Sequence, residues 1–144
     1  MEVFIQGVTD NSSSLGGWCF LLNFSDGETC QMGSSYEVTT ASYMTLVAAS
    51  KALAYLNENN SIGPTIFTDS KFVFDGITKM VPSWIDNDWK TSSGKQVKHK
   101  DLWEYIHCMT QDLHLSWSFT SANNKPLLKA LLLASECSTK SQYV

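Results

Sequence analysis

The residue best placed for chemistry in this 144-residue chain is Asp69, in the stretch Thr65-Ile66-Phe67-Thr68-Asp69-Ser70-Lys71-Phe72-Val73. Gly63-Pro64 marks a turn, Ile66-Phe67 is β-prone, and a helix-like segment follows Ser70. Asp69 is therefore expected at the carboxyl end of a buried strand, where open α/β sheets place their sites. A carboxylate there can ligate a metal or act as a general base. It can equally cap the helix that follows. The other candidate chemistry is sparse. Cys19, Cys30, Cys108 and Cys137 show no CxxC or metal-type spacing and read as small, reduced, partly buried side chains of an intracellular protein (cytoplasm or nucleus). His99, His107 and His114 read as surface or satisfied residues. Asp10 lies in a Ser-rich loop, where the usual role is a turn or cap.

The elements that must position Asp69 follow from patterning. Val3 to Gln6 opens as a strand that Gly7 closes. Trp18 to Phe24 and Thr29 to Tyr36 form a hairpin about Asp26-Gly27. A two-residue turn there sets Cys19 opposite Ser34 and Cys30 opposite Asn23, so the two cysteines do not face each other. Thr39-Thr40 caps a helix from Ala41 to Asn57, with Leu46, Ala49, Leu53 and Leu56 on one face. After the Asp69 strand comes a short helix that Gly76 interrupts, resuming from Lys79 to Asp86. Lys100 to Gln111 is a helix, and Leu113 to Thr120 alternates as a strand. Asn123-Asn124 caps a last helix from Lys125 to Cys137, with Pro126 in its first turn. The order β-β-β-α-β-α-α-β-α predicts an α/β fold: a five-stranded mixed sheet, three antiparallel strands first, with helices on both faces. One domain over residues 1–138 and a frayed tail at 139–144 are expected.

Composition narrows the function. The chain is 43% hydrophobic and 17% charged, enough for one packed core. No apolar run approaches a membrane span, and the amino-terminal apolar run lacks the preceding basic residues of a secretory signal. Net charge is −4, and all ten basic residues are lysines. The absence of arginine argues against a surface built for bidentate phosphate recognition.

Phe67-Thr68-Asp69-Ser70, Gly76-Ile77-Thr78, Trp84, Trp89-Lys90-Thr91 and Asp101-Leu102-Trp103 together resemble type 1 ribonuclease H, in order and in spacing. Glu2 to Gly7, Gly16-Gly17-Trp18 and Thr39-Thr40 to Leu46 extend the resemblance over nearly the whole chain. It implies a ribonuclease H-like fold. It also implies cleavage of RNA in RNA–DNA hybrids through two magnesium ions about 3.5–4 Å apart. Four family acids would hold them. Carried over, their positions fall on Gln6, Thr45, Asp69 and Leu128. One carboxylate cannot hold two dications against their hydration. A family phosphate pocket falls on Val38 and Ala41, and the basic handle on Ile85-Asp86-Asn87-Asp88. The histidine-bearing loop before the last helix falls on Ser121 to Asn124.

The resemblance then implies a catalytically inactive relative rather than an enzyme, acting through an unknown protein partner, as a homodimer or paired with an active homologue. No bound metal or cofactor and no membrane contact are expected, and Asp69 becomes a structural cap. The residual nucleic-acid reading rests on Trp84, Trp89, Lys90, Lys95, Lys98 and Lys100 beside His99, with weak binding of hybrid or double-stranded RNA. Against it stands a solvated loop whose tryptophans pack inward. A weak hybrid ribonuclease with a rearranged site is the remaining alternative.

Overall fold

A computed structural model describes residues 1–24, 27–121 and 123–140. Five strands, β1 (Glu2–Thr9), β2 (Leu15–Phe24), β3 (Gly27–Val38), β4 (Thr65–Thr68) and β5 (Ser116–Phe119), form one sheet in the order β3-β2-β1-β4-β5. β2 runs antiparallel to both of its neighbours, β1 and β3. β4 runs parallel to both β1 and β5. The helices are α1 (Ala41–Glu58), α2 (Lys71–Asp75), α3 (Val81–Asp86), α4 (Lys100–Asp112) and α5 (Lys125–Lys140), with a π-helical turn (Gly76–Met80) joining α2 to α3. The sheet is mixed, and helices cover both faces, as expected.

Alternation along β1 and β2 divides the core. Val3, Ile5, Phe20 and Leu22 pack with Leu46, Ala49, Leu53 and Leu56 of α1, all buried. Phe4 and Leu21 point the other way and meet Leu127 of α5. The neighbouring Cys19 meets Ala130 and Ala134 on the same side. Thr40 caps α1, its hydroxyl accepting from the Tyr43 amide at 3.1 Å. Asn124 caps α5, its Oδ1 accepting from the Leu127 amide at 3.1 Å. Among the described residues no helix is long and apolar enough to cross a membrane.

Several local expectations are corrected. Gly7 does not close β1. It stays inside the strand, because a Cβ there would lie 2.1 Å from the Thr45 amide nitrogen; glycine lets α1 press onto the sheet. The hairpin register differs by two: Phe24 pairs with Gly27, Leu21 with Cys30 and Cys19 with Met32. An even shift keeps every side chain on its expected face. The connecting residues Ser25 and Asp26 lie outside the described residues. No disulfide joins any two of the four cysteines among the described residues. Gly76 ends α2 as expected, but a π-helical turn rather than a break carries the chain on to α3, which starts at Val81 and not Lys79. The φ of −57° and ψ of −50° at Gly76 are helical, and a Cβ would meet the Trp103 ring at 2.3 Å. It is a close-packing glycine. β5 starts at Ser116 rather than Leu113, because Leu113 ends α4 and His114 is left-handed at φ 52°. α5 runs to Lys140, two residues into the stretch read as a tail. Residues 141–144 lie outside the described residues.

Candidate active site

The parallel pairing of β1 with β4 sets Val3 beside Ile66 and Phe4 beside Phe67. Extending that register by two residues brings Gln6 alongside Asp69. The Gln6 Nε2 donates to Asp69 Oδ2 at 3.0 Å and to the Leu127 carbonyl at 3.4 Å. Both neighbours are acceptors, so the network fixes which way the amide faces. Gln6 is only 4% exposed, and Asp69 is half-buried. The corner is thus one carboxylate held by one neutral amide, at the carboxyl end of β4.

Asp69 is not the helix cap it was expected to be. Ser70 takes that role: its hydroxyl accepts from the Val73 amide at 3.3 Å, and its own amide donates to Thr68 Oγ1 at 3.0 Å. With the α2 amide end satisfied by serine, the Asp69 carboxylate turns to Gln6.

The other two positions do not join them through side-chain hydrogen bonds. Thr45 is buried, and its hydroxyl donates to the Ala41 carbonyl within α1 at 2.9 Å. Leu128, in the first turn of α5, is 42% exposed. Asp10 binds its own loop, its Oδ2 accepting from the amides and hydroxyls of Ser12 and Ser13. Those hydrogen bonds, the hydroxyl contacts foremost, hold its carboxyl below the usual carboxylate range. Among the described residues no three His, Cys, Asp or Glu side chains come close enough to hold a metal ion. The donor set present is one carboxylate, an amide whose N–H already points at it, and a hydroxyl turned to its own helix. It does not fit a pair of hard dications, which need several oxygen donors.

The lysines expected to meet nucleic acid are spread along one connection. Lys90, Lys95 and Lys98 are exposed. Lys100, half-buried, pairs with Glu104 at 3.7 Å. Trp84 and Trp89 are half-buried and packed on the core, their ring centroids 6.2 Å apart. Trp84 also meets Trp103 edge-on at 5.4 Å. These tryptophans hold the 84–98 segment to the body. His99, at left-handed φ 60° before α4, packs against Tyr43 with the rings tilted by 42° and their centroids 4.5 Å apart. Burial, and secondarily the charge of Lys98, lower its pKa below the usual histidine value. Tyr43, Phe72 and Ser70 were not singled out from the sequence. Ser70 was legible only as a serine before a helix, not as the residue that would cap it in place of Asp69.

A mixed sheet ordered β3-β2-β1-β4-β5, with an acid ending β4 between flanking helices, defines a ribonuclease H-like fold. A family model described as RNase H matches residues 1–126, so the chain belongs to the ribonuclease H family. "Ribonuclease H" of Xanthomonas oryzae pv. oryzae (strain MAFF 311018) is 35% identical over 124 residues, 86% of this chain and 81% of that protein. "Ribonuclease H" of Francisella tularensis subsp. novicida (strain U112) is 32% identical over 121 residues, 84% and 78% of the two chains. A foamy viral protease-reverse transcriptase solved with double-stranded DNA superposes with a TM-score of 0.82 at 21% identity, covering 96% of this chain and 94% of that one. LC9-RNase H1, a type 1 RNase H with the type 2 active-site motif, superposes with a TM-score of 0.77 at 18% identity, covering 97% and 73%. The expectation that the chain is not an enzyme is corrected by these findings. Relatives matched over most of their length carry the name of an enzyme.

Proposed function

We propose that this chain acts on RNA–DNA hybrid and cuts the RNA strand slowly at a corner built on Asp69. The observation that carries the reading is the Gln6–Asp69 contact at 3.0 Å, which holds one carboxylate at the carboxyl end of β4. The kinship with proteins named Ribonuclease H supports the substrate and the bond attacked. In this reading water attacks the RNA phosphorus while Asp69 takes its proton. The P–O bond to the leaving ribose oxygen breaks, solvent protonates that oxygen, and Gln6 keeps the carboxylate aimed. A positioned general base contributes roughly 10²–10⁴-fold. Among the described residues no further charged side chain joins the corner through its hydrogen bonds, so turnover is slow. Lys90, Lys95 and Lys98 meet the hybrid backbone as point charges, and affinity falls steeply with salt. The test uses purified chain, an RNA–DNA hybrid with labelled RNA, and magnesium or manganese in separate arms. Slow cleavage that disappears in Asp69→Asn supports the reading. Salt-dependent binding with no cleavage in any arm overturns it.

A further inference from the structure

α5 buries Leu127, Ala130 and Ala134 against β1 and β2. At 3.6 residues per turn the opposite ridge of the helix is Lys125, Leu128, Lys129, Leu132 and Glu136, and all five are exposed. Leu132 is 68% exposed and Leu128 42%. A single exposed leucine is ordinary; two of them one turn apart make a small apolar strip. The charges that border the strip are ordered along it. Both lysines lie in the amino half of α5 and Glu136 in the carboxyl half. Lys125 opens the helix, at the end where the dipole favours an anion, and the first turn holds no acid. Lys129 pairs with Glu28 of β3. Lys125 and Glu136 form no ion pair among the described residues.

We propose that α5 packs antiparallel against α5 of a second copy of this chain, making a symmetric homodimer. A two-fold axis at the level of Leu132 sets that leucine against its counterpart. Along the helix axis, Glu136 of the second copy then lies within about 4.5 Å of the level of Lys125 and about 1.5 Å of the level of Lys129. The two-fold keeps all three on one flank of the seam. The carboxylate therefore sits between the two lysines and beside the amino end of the facing helix, where the dipole favours it. Parallel pairing would instead set lysine against lysine and glutamate against glutamate. The ridge is thus complementary in charge to itself, as an isologous contact requires. That complementarity selects a second copy as the occupant. One helix pair falls at the low end of interface sizes, so the association is weak. The proposal does not depend on hybrid cleavage, because no side chain of the ridge takes part in the Gln6–Asp69 hydrogen bonds.

The experiment is sedimentation equilibrium of the purified chain at low salt, from roughly 1 μM to 1 mM. A reversible monomer–dimer equilibrium is expected. Leu132→Lys, at an exposed position, weakens it by roughly 10-fold or more. Lys125→Glu and Glu136→Lys, made singly, each weaken it by roughly 3–10-fold, less at high salt. Combined in one chain, the two exchange the charges and restore association. Circular dichroism checks that every variant keeps the parent fold, and Asp69→Asn leaves the equilibrium unchanged. A chain that stays monomeric over the whole range overturns the proposal, as does a dimer that Leu132→Lys leaves intact. Single charge variants whose loss the double variant fails to restore overturn the antiparallel arrangement.

Discussion

Replacing Gln6 by aspartate tests how the corner is held together. In the native chain the Gln6 amide donates to a carboxylate at 3.0 Å while only 4% exposed. A hydrogen bond to a charged group contributes about 1.5–3 kcal/mol. Gln6→Asp removes it and brings a second carboxylate in. At about 5 Å and an effective dielectric of roughly 20–80, the repulsion is about 1–3 kcal/mol. The sum is about 2–6 kcal/mol, or roughly 5–20 °C in Tm for a chain of this size. The repulsion exists only while both groups are ionised. The deficit is therefore largest while both are charged and is relieved in acid, when protonating either one removes the repulsion. Two adjacent carboxylates also offer a dication what the native corner does not. With a Kd near 1 mM, magnesium at about 10 mM would restore roughly 1.4 kcal/mol, or about 3–6 °C. Thermal melts of both proteins, at two pH values and with or without magnesium, read all of this. Two results would refute the reasoning: a variant as stable as the parent at neutral pH, or a parent chain that magnesium stabilises as much as the variant.

Other consequences are simpler to check. Gly7→Ala drives a methyl group into the α1 backbone at Thr45; destabilisation of roughly 3 kcal/mol or more is expected, measured by urea unfolding. Burial, with Cys30 and Cys137 contributing, pushes the Cys19 thiol up to about 12. Iodoacetamide at neutral pH followed by mass spectrometry should therefore label exposed Cys30 and Cys108 well before Cys19. The Asp10 carboxyl is depressed by its serine hydrogen bonds. Its stabilisation of the 10–15 loop is thus present above the unfolded carboxylate range and lost as pH falls through the lower folded value. Amide exchange at Ser12 and Ser13 should accelerate there and in Asp10→Ala. His99, depressed by burial and Lys98, should titrate by NMR below the unfolded histidine value.

Legibility in the sequence followed the range of the interactions involved. Period-two and period-3.6 patterns rest on local geometry, so β1, α1 and the strand ending at Asp69 were readable, as was the mixed sheet. The glycines were misread because their role is set by distant neighbours. Gly7 and Gly76 look like punctuation in one dimension, yet each is a contact surface, for Thr45 and for Trp103. The hairpin register turned on whether Gly27 was a turn residue or the first residue of β3, which local propensity does not decide. At the site, the positions Gln6 and Asp69 were readable from the family resemblance. The cap was not, because Asp69 and Ser70 are both good capping residues, and the side chain at Gln6 decides which is drawn away.

The measurement closest to the central claim is single-turnover cleavage of labelled RNA in an RNA–DNA hybrid by the parent chain and by Asp69→Asn. Asp69 is half-buried and its replacement is nearly isosteric, so both proteins should fold alike by circular dichroism. The account predicts slow cleavage by the parent that the variant loses, with hybrid binding little changed. A parent that binds hybrid and never cuts it would contradict the account, and so would a variant that cuts as fast as the parent.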